Sequence, residues 1–351
     1  MSTDPLATGT RANAVLVHAG PPSRQAGVLH RTSRILIKPT LNGLISLYGM
    51  LVAIGPAGTA KSRFIQWPVA VADYIARPLV PVRGSVVEMM YAPPSGLRIE
   101  KVTGPGVDPE AEAAIVWFHG GGLVAGGFNS HRRLLSRLSA EAATPAYSVE
   151  YRLQIEHTFA DAVADGLLAY RALLATGLDP SRMVFGGDSG GCAVALATAL
   201  AVRDAGLCQP AGLVLLSPWV DFDPTTKLAD PRARLDAAIP ITGAWPLSGG
   251  RLMAEHVLAS SIADAARLSP INATLGGLPP VLIHAAESEI LSVDALALHT
   301  KLGAEDVEST VKLWPGLIHM FQLAADLVPE GRESLAEVGE FVSALTASAT
   351  G

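Results

Sequence analysis

Cysteine is nearly missing from this sequence, which carries two in all, Cys192 and Cys208. A secreted scaffold built on disulfides is thereby excluded. The two flank one expected helix and stand 16 residues apart, about four turns along it and beyond disulfide reach, so both are expected to be buried small apolar residues in a reducing compartment. A secretory signal is not seen either: MSTDPLATGTRANAVLVHAG has an acidic residue at position 4 and no basic region leading into an apolar one, which makes the cytoplasm the expected location. Charge is sparse. Asp, Glu, Lys and Arg are 17% of residues, the net charge is −6 and no Lys/Arg-rich block occurs, so there is no evident footprint for nucleic acid or an anionic membrane. A long unbroken apolar run is also lacking. Between Lys38 and Lys61 there is no charge, yet Asn42, Gly43, Ser46 and Gly49 interrupt the run and Pro56 stops it. It falls short of a membrane span and is expected to form a buried or interfacial helix. No metal-ligand spacing and no internal repeat is evident.

Apolar residues, by contrast, are abundant: 49% of the 351 residues are hydrophobic and mean hydropathy is +0.34. Such a chain buries a large core, and a lipophilic ligand suits it. Short apolar runs bounded by turn signals occur at 113–118, 145–149, 182–186, 212–217, 280–285 and 309–314. Helical patterns lie between or after them, at about 132–142, 159–176, 191–206, 293–303 and 333–347. This alternation predicts an α/β fold, a mostly parallel central sheet with helices on both faces. Loops that carry chemistry then gather at the carboxyl ends of the strands. Two stretches break the rhythm: residues 1–85, expected to precede the sheet with the first 40 mobile, and an insertion at about 222–268. Both read as helical cap material over a catalytic domain of residues 86–351.

The stretch RMVFGGDSGGCAVALATALAV, at 182–202, holds a serine that suits two kinds of nucleophilic chemistry. GDSGG surrounds the reactive serine of trypsin-like proteases and also fits the G-x-S-x-G nucleophile elbow. The neighbours decide. Met183 to Phe185 reads as a buried strand, Gly186-Gly187 as a tight turn and Cys192 to Val202 as a helix, which is the context of the elbow, with Ser189 held clear of the sheet. A protease serine of the other kind sits among short strands and follows its histidine and aspartate in the chain. A second signal is His119-Gly120-Gly121-Gly122 directly after the strand IVWF. The N–H groups of Gly121 and Gly122, with that of Gly190, are expected to form a three-donor oxyanion hole. The lysine and hydroxyl of a phosphate loop are not found there.

These segments, together with VEYRLQIEHTFADAVADGLLAYRALL, LVLLSPWVDF, GLPPVLIHAAESEIL and WPGLIHMF, lie in order between about residues 113 and 322. In that order the chain resembles the hormone-sensitive-lipase-like group of α/β-hydrolases, the bacterial family IV carboxylesterases. The resemblance implies an α/β-hydrolase fold with a helical cap, a small-molecule ester as substrate and no cofactor. It implies Ser189 as nucleophile and His319 as general base, in the chain order Ser, acid, His. For the acid, Glu289 is favoured because it falls just past the strand 280–285; Asp294 competes but is accounted for by a helix start alone, and Glu287 is an outsider. Trp219, Met253 and residues of the run 41–55 are expected to line the ester pocket, with short to medium acyl chains preferred. A lactonase or amidase with the same triad is the alternative, as is a non-catalytic receptor such as the plant gibberellin receptors, which resemble the family but lack the histidine kept here as His319. No nucleic acid and no stable membrane span are expected, and the chain is expected to be a monomer or homodimer. Two departures stand out: Gln154-Ile155 replaces the usual Ala-Pro, and Glu289-Ile290-Leu291 the usual Asp-Pro-Leu. His119 and His157 belong to the motifs as structural residues, while His131, His256, His284 and His299 show no pairing in the sequence.

Overall fold

Side chains alternate across a strand, so a run apolar at every position needs cover on both faces. AIVWF and GLVLL are buried at all of their positions, and both lie inside the sheet. The computed structural model describes residues 14–54, 73–74, 80–154, 157–240, 249–258 and 261–347. Its strands are β1 (Ala14–His18), β2 (Val86–Ala92), β3 (Leu97–Thr103), β4 (Ala114–Phe118), β5 (Ala146–Val149), β6 (Met183–Asp188), β7 (Gly212–Leu216), β8 (Val281–Ala286) and β9 (Ser309–Trp314). They form one sheet in the order β1-β9-β8-β7-β6-β4-β5-β3-β2, parallel except where β3 runs against β2 and β5.

The main helices are α1 (Arg24–Thr32), α2 (Lys38–Ile54), α3 (Phe128–Ala142), α4 (Phe159–Ala175) and α5 (Gly190–Asp204). Four short ones follow in the insertion: α6 (Thr225–Ala229), α7 (Arg232–Leu235), α8 (Gly249–Leu252) and α9 (Ile262–Leu268). The chain closes with α10 (Ser292–Ala304) and α11 (Pro329–Thr346). The strands' period of two sorts the core: Ala114, Val116 and Phe118 pack with residues of α4, α5 and α10, while Ile115 and Trp117 pack with residues of α3 and α11. Every strand and helix expected after residue 113 is present, within a few residues of the expected ends.

Three expectations about the earlier part are corrected. The sheet does not begin near residue 86, nor are the first 40 residues wholly mobile. Ala14–His18 adds a parallel strand to β9, in register Ala14 with Ser309 through His18 with Leu313. The signal was a five-residue run, AVLVH, of mostly β-branched and apolar residues, overlooked beside the polar residues around it. The antiparallel pair β2 and β3 was not foreseen either, because MM and charged residues blur the alternation in these strands. The uncharged run does form a helix, α2, and of its two expected settings, buried or interfacial, the buried one does not hold: Leu44 and Leu47 are 56% and 55% exposed. Both cysteines are free; Cys192 is buried as expected, but Cys208 is exposed, because the helix ends at Asp204 and Cys208 falls in the loop beyond it.

Candidate active site

Ser189 stands between β6 and α5 with φ 51° and ψ −122°, a strained conformation for a residue with a side chain. The turn closes only around glycine. A Cβ on Gly191 would lie 2.0 Å from Phe118 O and one on Gly187 2.6 Å from the Gly191 backbone. The strain lifts the Ser189 hydroxyl off the sheet at the amino end of α5.

Two loops at neighbouring strand ends meet that hydroxyl. Ser189 Oγ lies 3.0 Å from His319 Nε2, and His319 Nδ1 lies 2.7 Å from Glu289 Oε2. In the resting arrangement the serine donates to Nε2 and Nδ1–H donates to the carboxylate. Glu289 is fully buried just past β8, and its other oxygen accepts the Ala286 N–H at 3.1 Å, which fixes the carboxylate's direction. Burial pushes the His319 imidazole down, but the charge and hydrogen bond of Glu289 outweigh it and hold the ring above the ordinary value. The histidine loop is itself held, since Met320 N–H donates to Ser217 Oγ at 3.3 Å and Ser217, like Met320, adopts positive φ.

The glycine loop crosses directly over the elbow. Gly121 and Gly122 have φ of 119° and 63°, and a Cβ on Gly121 would strike Ala125 O at 2.2 Å. A Cβ on Gly190 would lie 3.0 Å from Leu123 N and 3.4 Å from the Gly122 carbonyl carbon. The Gly121–Leu123 segment thus packs against the start of α5, directly after Ser189. Met253 reaches the same place, its Cε 4.0 Å from where a Cβ on Gly122 would be. The Trp219 backbone N–H donates to Ser189 O at 3.1 Å, and its ring packs edge-on against Phe222 at 5.1 Å.

The other two carboxylates are elsewhere. Asp294 is fully buried and accepts from Val220 N, Asp221 N and Lys227 Nζ, the last at 2.8 Å. Its place is a buried ion pair, so the expectation of a simple helix-start charge is corrected. Glu287 lies half exposed, 3.8 Å from His18.

Sequence reading missed a second Asp–His pair behind the elbow. Asp188 accepts Trp117 Nε1–H at 3.0 Å and lies 3.1 Å from His131 Nε2, both residues buried. Burial alone would lower the His131 pKa and raise that of Asp188; their mutual attraction reverses both shifts. Gly120 accommodates this pair, because a Cβ there would lie 2.1 Å from Asp188 Oδ2. His119 stacks on Tyr151 at 4.6 Å, and burial pushes it down to about 4. His284 and His299 also have partners, Ser334 Oγ at 2.8 Å and Ser309 Oγ at 2.9 Å. Only the Asp of GDSGG, next to the nucleophile, hinted at any of this.

Residues 115–323 match a family model described as the alpha/beta hydrolase fold. Among relatives, Esterase LipU of Mycobacterium tuberculosis is 33% identical over 282 residues, covering 80% of this chain and 94% of that protein. Carboxylesterase/phospholipase LipF of the same organism is 32% identical over 321 residues, covering 89% and 84%. A crystal structure of an esterase from the bacterial hormone-sensitive lipase family is similar with a TM-score of 0.72 at 29% identity, covering 88% of this chain and 98% of that one.

Proposed function

Because the chain belongs to the hormone-sensitive-lipase-like, family IV group of α/β-hydrolases and is a carboxylic ester hydrolase, we propose that it works by acyl transfer through Ser189. His319 takes the serine proton as Oγ attacks the ester carbonyl, and the amides of Gly121, Gly122 and Gly190 receive the oxyanion. The tetrahedral intermediate collapses as His319 returns the proton to the leaving alkoxide. A water activated by the same imidazole then releases the acid. Glu289 orients the ring and stabilises the imidazolium. The observation that carries this reading is the unbroken chain from Ser189 Oγ through both nitrogens of His319 to Glu289.

The helical run from Arg24 to Ile54 and the described helices of the insertion form a two-part cap in this proposal, supported by the hydrogen bond of Ser33 Oγ to Ala237 O and of Lys38 Nζ to Asp236 O. A closed pocket lined by Trp219 and Met253 favours short to medium acyl chains. Purified protein should hydrolyse p-nitrophenyl butyrate, and a fluorophosphonate should label Ser189 in the native chain but not in Ser189→Ala. Octanoate and palmitate esters belong in the same assay, where a maximum at palmitate with interfacial activation would overturn the chain-length proposal. An unlabelled, inactive native protein would return the reading to a ligand-binding module.

A further inference from the structure

The net charge of −6 conceals a division of the chain. Residues 5–72 contain Arg11, Arg24, Arg31, Arg34, Lys38, Lys61 and Arg63 but no aspartate or glutamate. Within this stretch, α1, a π-helical turn at Ser33–Ile37 and α2 make one continuous helical run. It presents Val28, Ile35, Leu36, Ile37, Leu44 and Leu47 to solvent, with Ile35 69% and Leu36 61% exposed. Lys38 turns inward to Asp236 O, while Arg24, Arg31 and Arg34 are exposed and, among the described residues, join no ion pair.

An exposed aliphatic surface of this extent is costly in water unless something covers it. Unpaired arginines among the aliphatic residues specify the sign of what covers it. We propose that the helical run from Arg24 to Ile54 docks the protein in the plane of a bilayer that carries anionic phospholipid. Aliphatic side chains enter the boundary between headgroups and acyl chains, while the arginines meet lipid phosphates. A nucleic acid would satisfy the arginines but leave the leucines in water, and a neutral apolar partner would leave the arginines unpaired. Among the described residues no helix is long and apolar enough to cross a membrane, so the contact is peripheral. The run is tied to the insertion through Ser33 and Lys38, and docking there presents the cap side of the molecule to the lipid.

Cosedimentation of the full chain with vesicles of phosphatidylcholine alone, or mixed with phosphatidylglycerol, tests the proposal. The native protein should pellet with the mixed vesicles, release with added salt and remain in the supernatant with the neutral ones. Arg24→Gln/Arg31→Gln/Arg34→Gln should partition on the order of 100-fold less well, from three lost cation–lipid attractions. Ile35→Ser/Leu36→Ser should also weaken binding, while both variants should still be labelled at Ser189 by the fluorophosphonate, which separates this proposal from the catalytic one. Failure of the native protein to bind mixed vesicles, or equal binding to both kinds, would overturn it. A concentration-dependent dimer without vesicle binding, abolished by Ile35→Ser/Leu36→Ser, would assign the surface to a second copy of the chain.

Discussion

The strand ends around Ser189 and the helical run from Arg24 to Ile54 place their charges by opposite rules. At and behind the serine, buried charged groups are paired, Glu289 with His319 and Asp188 with His131, and farther along the strand ends Asp294 pairs with Lys227. Burial makes an unpaired charge expensive, so each site tolerates one arrangement and holds its side chains within a few tenths of an ångström. On the N-terminal run Arg24, Arg31 and Arg34 join no ion pair among the described residues, and Val28, Ile35, Leu36, Ile37, Leu44 and Leu47 are exposed. Substitution should therefore be costly in the first region and cheap for folding in the second. The contrast separates groups kept for geometry from groups kept for what lies outside the molecule.

The sharpest attempt to break this comparison exchanges two carboxylates five positions apart, both fully buried. Glu289→Gln should lose about 10³-fold or more in kcat with circular dichroism unchanged, because the ring loses its orienting, charge-stabilising acid. Asp294→Asn should do the reverse. It takes from the buried Lys227 ammonium its nearer counter-charge and leaves it only the Asp221 carboxylate at 4.0 Å, a loss of up to about 3–5 kcal/mol in stability, while molecules that remain folded keep their kcat. Melting temperature and active-site-titrated kcat distinguish the two. An inactive but fully stable Asp294→Asn would move the catalytic acid away from Glu289.

A second test uses pH to compare the catalytic dyad with the pair behind it. In the proposed mechanism His319 must be neutral to accept the serine proton, and Glu289 holds it above 6.5. Activity should therefore fall as pH drops through a value above 6.5, and Glu289→Gln should move this limb of kcat/KM downward. The Asp188–His131 pair should act on stability instead. Asp188 lies below its ordinary 3.8, so its contribution is present above that pH and lost as pH falls through its folded value. His131 lies above 6.5, so its contribution is complete below that pH and lost as pH rises through its folded value. The stability difference between native protein and His131→Gln should be greatest between 3.8 and 6.5. A difference independent of pH would mean that the pair carries no net charge interaction.

What the sequence revealed follows from which interactions are local. Strand, glycine turn and helix around Ser189 follow one another in the chain, as do β4 and the glycines of 120–122, so periodicity and turn chemistry expose them. The Asp188–His131 pair spans 57 positions and the Asp294–Lys227 pair 67. Nothing in a single sequence marks such partners, and Asp294 offered a sufficient local explanation as a helix-start residue. β1 was hidden differently. AVLVH has strand composition, but only the free edge of β9, nearly 300 residues later, makes it a strand.

That last assignment separates the sequence reading from the structure with the smallest expected effect. Ala19 N–H donates to Leu313 O, and neighbouring amides of a parallel strand alternate in direction. The amide of Val17 therefore faces β9 like that of Ala19, whereas that of Leu16 faces away. Proline has no N–H, so Val17→Pro removes a ladder hydrogen bond and should cost about 1 kcal/mol, while Leu16→Pro removes none and should stay within about 0.5 kcal/mol. Kinetics on a soluble ester belong beside the stability measurement, because β1 pairs with β9, whose carboxyl end leads into the His319 loop. Urea unfolding monitored by tryptophan fluorescence gives the difference directly. If the first 40 residues were mobile, as their composition alone suggests, the two prolines would be equally harmless. Unequal costs, in this order, require a strand paired in the register Val17 with Lys312.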